Sequence, residues 1–134
     1  SNYSVHEILT MASIAEKEAM NYEDRTKVAQ VIYTRLDMGM NLGMDVTTYY
    51  GVGKSMTETL TALDLADDNP YNTRNASLIG LPVGPICNPS SESIRAVLNP
   101  ADTNYIYFFA DIVTGNVYFT DDYNEFLEFQ RLYG

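Results

Sequence analysis

The chain has 134 residues, 46% of them hydrophobic, and 18 acidic against 8 basic side chains, for a formal net charge of -10. That is length and apolar content enough for one folded domain with a real core, and it excludes a disordered chain. The negative balance argues against nucleic acid and anionic membrane surfaces as partners, while an uncharged polymer such as a glycan stays open. Cys87 is the only cysteine, so no internal disulfide forms, and one His with no CxxC speaks against a zinc site. No metal or cofactor is expected. No stretch approaches the roughly 20 apolar residues of a membrane span, so no membrane contact is expected from this segment itself. Ser1-Asn2 has the look of a tag remnant, which fits an excised domain.

In chain order, a first helix opens at Ser4, which with Glu7 makes a capping box. Ile8, Ala12, Ala15 and Ala19 form its core stripe, and His6, Thr10, Ser13 and Lys17 its wet face. At about 100° per residue, Glu16 falls beside Leu9 and Ala12, and Glu18 between Met11 and Ile14. A second helix spans Glu23 to Met38, with Val28, Val31, Ile32 and Leu36 inward and Gly39 as its stop. Residues 40–56 read as loop. A short helix covers Leu60 to Ala66. Residues 70–90 are rich in Pro and Gly and read as a long ordered loop, a common seat of function. Asn88-Pro89 opens another short helix, Ser90 to Leu98, with Pro at its first position. Tyr105–Ala110 and Asn116–Thr120 read as a hairpin with Gly115 in its turn, and Asp121-Asp122 caps a last helix. Helices, a long loop, a hairpin and a helix make an α+β layout without alternating βαβ units.

Two groups of residues suit chemistry. Glu16-Lys17-Glu18 places two carboxylates at the edges of a buried arc, where burial of a charge is costly and a carboxyl keeps its proton more easily. The apolar flanks of Glu18 suit a general acid. The same pattern fits a helix edge whose acids pair with Lys17 or Arg25, and the residues alone leave both readings open. The second group is Asp45, Thr47, Tyr49 and Tyr50 with Tyr71-Asn72-Thr73 and the Gly80 to Ile86 loop. Asn amides and Tyr rings suit sugar hydroxyls and acetamido groups, although Asn, Gly and Pro also have backbone reasons to sit in turns.

The run Leu9-Thr10-Met11-Ala12-Ser13-Ile14-Ala15-Glu16-Lys17-Glu18 resembles the "LTMASIxEKE" signature of the MltG (YceG-like) endolytic murein transglycosylases. The similarity continues in order through Arg25 and Lys27 to Leu36, through Met38 to Leu42 with Asp45, Thr47 and Tyr50-Gly51, and through Tyr71-Asn72-Thr73. It then runs through Gly80-Leu81-Pro82, Gly84-Pro85-Ile86, Asn88-Pro89, Asn99-Pro100 and Tyr105 to Phe108. The resemblance implies a single catalytic domain over residues 1–134, related to lysozyme-like lytic transglycosylases, with a membrane anchor and a LysM-like subdomain outside this segment. It implies action on peptidoglycan glycan strands at the extracytoplasmic face of the bacterial membrane, with cell-wall synthesis proteins as candidate partners. It makes Glu18 the acid/base that cuts between N-acetylmuramic acid and N-acetylglucosamine and closes a 1,6-anhydro ring. Tyr71, Asn72, Thr73, Asp45, Tyr50, Gly80, Pro82 and Gly84 are then expected to bind substrate, with Glu16 in support.

The chain departs from the pattern at Gly43, Val46 and Val83, and it lacks the family's two late His residues near Val117 and Glu125. Two alternatives follow: a non-catalytic peptidoglycan-binding or scaffold domain, and a glycan hydrolase on the same fold that uses Asp45 or Glu16 to activate water.

Overall fold

The computed structural model describes residues 2–134; Ser1, read above with Asn2 as a tag remnant, lies outside them. Six helices and one two-stranded antiparallel sheet follow in the order α1 (Val5–Glu18), α2 (Tyr22–Met38), α3 (Asp45–Val52), α4 (Ala62–Ala66), α5 (Ser91–Leu98), β1 (Tyr107–Ala110), β2 (Val117–Thr120) and α6 (Tyr123–Tyr133). The architecture is α+β, as the element order implied. No helix among the described residues is long and apolar enough to cross a membrane.

The core lies between α1, α2 and α5. Met11, Ile14, Val28, Ile32 and Val97 are fully enclosed there. α1 starts with the expected box: the Glu7 N–H donates to Ser4 Oγ, and the Ser4 N–H donates to Glu7 Oε1. Its expected wet face is wrong at two positions, because Thr10 and Ser13 are buried. Each hydroxyl donates to a carbonyl of its own helix, Thr10 Oγ1 to His6 and Ser13 Oγ to Thr10. A hydroxyl satisfied in this way can be enclosed at little cost. Ser13 Oγ also accepts the Ile86 N–H, which ties the 70–90 loop to α1.

α2 ends where Gly39 adopts a left-handed φ of 69°, and its N–H closes onto the Arg35 and Leu36 carbonyls. The segment read as loop over residues 40–56 contains α3. At α5, Ser90 is the N-cap and Ser91 the first helical residue, so Pro89 precedes the cap instead of opening the helix. The hairpin pairs Tyr107 with Thr120 and Ala110 with Val117. Gly115, at φ 80°, takes the turn. Buried Gln30 locks α2 to the approach of β1: Oε1 accepts from Thr103 Oγ1 and the Tyr105 N–H, and Nε2 donates to the Tyr105 carbonyl. α6 packs on the hairpin through rings, with Tyr118 stacked on Tyr133 at 4.2 Å and Tyr107 on Phe126 at 5.4 Å, yet none of its residues is buried.

Candidate active site

Glu18 is the last residue of α1 and lines a cavity of about 640 Å³. The start of α3, the hairpin and the end of α6 supply the other walls. Glu18 is half-buried. α3 begins with Met44 at its N-cap, which has no side-chain oxygen to offer the first turn. The backbone N–H of Val46 in that first turn draws on the Glu18 carboxyl, which arrives from α1. Removal from water pushes its pKa up, the Asp45 carboxylate pushes it further, and the Val46 N–H pulls it back only in part. The result is about 8, so at neutral pH Glu18 is a carboxylic acid with a proton to give.

Glu16 is in the opposite condition. Two residues on a helix are about 200° apart, so Glu16 faces α5 while Glu18 faces the cavity. Glu16 Oε1 accepts from Ser93 Oγ at 2.6 Å, Ser90 Oγ at 2.8 Å and the Ser90 N–H at 3.0 Å. Its other oxygen faces Arg25, which also pairs with Glu92. These hydrogen bonds, with Arg25 adding a smaller pull, hold the carboxyl at about 2. Glu16 is thus a fixed anion at the N-terminus of α5, where the helix dipole favours it.

Asp45 lines the same cavity as Glu18 and forms an ion pair with Arg74. The other residues expected to bind substrate do not line it. Asn72 is fully buried. Its Nδ2 donates to the carbonyls of Asp64, Leu65 and Asp67, and its Oδ1 accepts from Thr48 Oγ1 and the Arg74 N–H. With its amide committed, Asn72 holds α3, α4 and the 70–90 loop together. Thr73 is also buried, its hydroxyl bonded to the Met44 N–H and Thr47. Tyr71 and Tyr50 meet edge to face at 4.8 Å. Gly80, Pro82 and Gly84 belong to a loop that His6 holds against the start of α1 through the Val83 carbonyl. Asn72→Ala is expected to cost about 2 kcal/mol, the scale for orphaning buried polar groups, read as a lower urea midpoint at unchanged m-value.

The residues that sequence reasoning passed over are those of the far wall. Phe108, Phe109, Ile112 and Val113 from the hairpin and Tyr133 from α6 line the cavity. The aromatic run 105–109 signalled a strand, and nothing local says which of its rings border a cleft. Arg35 lines the cavity too, fixed by bonds to the carbonyls of Ile106, Asn41 and Leu42. Among the described residues no group of His, Cys, Asp and Glu could hold a metal ion.

The family model described as YceG-like family matches residues 1–131. This chain belongs to the YceG-like family. Among curated proteins it is similar to an endolytic murein transglycosylase of Bacillus subtilis, 44% identical over 122 residues, and to one of Streptococcus pneumoniae, 36% identical over 126 residues. These alignments take in 91% and 90% of this YceG-like chain but 33% and 22% of those relatives, so the chain spans a third or less of their length. Among solved structures it resembles the crystal structure of a yceG-like protein of Listeria monocytogenes at 43% identity and a TM-score of 0.84, over 93% of this chain and 40% of that one.

Proposed function

We propose that this YceG-like segment is the catalytic unit of a lytic transglycosylase that cuts peptidoglycan glycan strands internally, with Glu18 as its acid and base. The observation that carries the reading is a protonated carboxyl, with a pKa of about 8, on a cavity of about 640 Å³. Glu18 donates its proton to the glycosidic oxygen between N-acetylmuramic acid and N-acetylglucosamine, and the bond to the muramyl anomeric carbon breaks. The carboxylate left behind takes the proton of the muramyl 6-hydroxyl as that oxygen bonds to the anomeric carbon. A 1,6-anhydro ring closes, Glu18 is protonated again, and no water is consumed. The Val46 N–H favours the ionised carboxylate, which exists only between these two steps.

On this reading Glu16 has a supporting role: it fixes α5 against α1 and so holds the helix that carries the acid. Asn72 and Thr73 shape the loop from behind. Residues 1–134 act as one unit related in plan to lysozyme-like enzymes, working at the extracytoplasmic face, with an anchor elsewhere in the full protein and cell-wall synthesis proteins as partners.

Asp45 favours a second reading. A hydrolytic glycosidase needs a second carboxylate to activate water or attack the sugar, and Asp45 lies on the same cavity. Mass spectrometry of products from intact sacculi separates the two. Anhydromuramyl ends are expected. Reducing ends would transfer the role of nucleophile to water, and binding without any cut product would leave a glycan-binding domain.

A further inference from the structure

Three of the eight basic residues in this acidic chain, Lys17, Arg35 and Arg74, line the cavity that holds Glu18. Arg35 is spent on its three carbonyls. The other two are available. Lys17 is exposed, directly precedes Glu18, and has no carboxylate partner among the described residues. Arg74 has a fixed base and a tip held only by an exposed ion pair. Its N–H is held by buried Asn72 and its neighbour Thr73 is buried, while its guanidinium reaches the cavity and pairs with Asp45 at the surface.

That pair is easily exchanged. Both partners are substantially exposed, at 37% and 53%, and such pairs contribute little. Asp45 is the first residue of α3, where the helix dipole favours its charge without Arg74. The guanidinium can therefore turn to another anion at small cost.

Murein chemistry supplies one anion at alternate sugars. N-acetylglucosamine is neutral, whereas the muramyl residue carries a 3-O-lactyl arm that ends in a carboxylate or bears a peptide with carboxylates. Resting on the reading of the site given above, we propose that Arg74 and Lys17 bind a carboxylate carried by the muramyl lactyl arm, its own or that of the peptide it bears, and thereby set which of the two alternating glycosidic bonds meets Glu18. Arg74 supplies a planar, two-pronged contact and Lys17 a point charge on the α1 side.

The test uses the Glu18→Gln chain, so that nothing is cut, and compares its affinity for three probes. These are uncrosslinked stem-bearing strands, whose carboxylates lie on the peptide, the same strands with every carboxylate converted to the methylamide, and amidase-treated strands, in which loss of the peptide frees the lactyl carboxylate. Native strands are expected to bind about tenfold tighter than methylamide strands, and Arg74→Gln with Lys17→Gln to reduce that ratio to less than about twofold. The preference is also expected to weaken as salt is raised. Amidase-treated strands that match native ones show that the freed lactyl carboxylate serves the pair as well as the peptide's does; a match to the methylamide strands confines the contact to carboxylates of the peptide, and either result supports the charge reading. Equal binding of native and methylamide strands overturns it. A ratio that survives the double substitution overturns it as well, whether or not overall affinity falls. The cutting assay with the unaltered chain stands apart: a chain that binds with this charge preference and releases no product removes the enzymatic reading alone.

Discussion

Replacing Glu18 by glutamine is expected to raise the melting temperature by roughly 10 °C at neutral pH while lowering glycan cleavage by about a thousandfold or more. The carboxyl ionises near 4.5 in the unfolded chain and near 8 in the folded one. The folded chain therefore binds this proton more tightly. The stabilisation that binding provides is complete below pH 4.5 and is lost as pH rises through 8. By neutral pH the native state has forgone about 3 kcal/mol relative to a neutral side chain of the same size. Glutamine removes the cost. Calorimetry at pH 4, 7 and 9 checks this: the gain of the variant should be absent at the first and largest at the last. A gain independent of pH would mean that packing, not the trapped proton, is responsible. The same titration sets the alkaline limb of cleavage, which should fall as pH passes about 8 and the acid loses its proton.

Glu16→Ala is expected to act in the opposite direction, lowering stability by about 2–3 kcal/mol at neutral pH. Here the folded value of about 2 lies below the ordinary 4.5, so the stabilisation is present above pH 4.5 and is lost as pH falls towards 2. The substitution removes the carboxylate that Ser90 and Ser93 donate to and leaves Glu92 as the one carboxylate on Arg25. Urea titrations at pH 7 and pH 2.5 should show a wide gap between variant and parent at the first and a narrow one at the second. An undiminished gap at low pH would show that the loss came from packing and not from the carboxylate. A rise in stability at one residue and a fall at another two positions away, from removal of the same carboxyl chemistry, is a demanding signature of a helix with two different sides.

Much of the frame was legible because its signals are local. The Ser4 and Asp122 caps, the Gly39 stop, the stripe through Ile8, Ala12 and Ala15, and the aromatic hairpin each announce themselves within a few residues. α3 was not legible because its start signal lies elsewhere in the chain: Met44 offers no cap, and the carboxyl that meets the first turn belongs to Glu18, well upstream. Thr10 and Ser13 misled because polarity in a sequence is taken as a vote for water, whereas their hydroxyls are satisfied inside the helix. Asn72 misled in the same way. The residue type suits a sugar, but only the fold reveals that its amide is already used. The apolar flanks of Glu18 did foretell a raised pKa, and Asp45, which lines the same cavity, raises it further. Tyr71, Tyr50 and the Gly80 to Gly84 stretch do not line the cavity: the two rings pack on each other, and His6 holds the loop at the start of α1.

The two sides of the cleft are built to different standards. One is α1, enclosed by α2 and α5 and closed by fully buried side chains. The other is a hairpin carrying a helix with no buried residue, held by stacked rings that water can still reach. Segments of the second kind open locally at far less cost than the core. The acid and the width of the slot in front of it are therefore separate mechanical variables. On the function proposed above, a glycan strand admitted along its length, because its ends are far away, requires a jaw of which only one half needs to move.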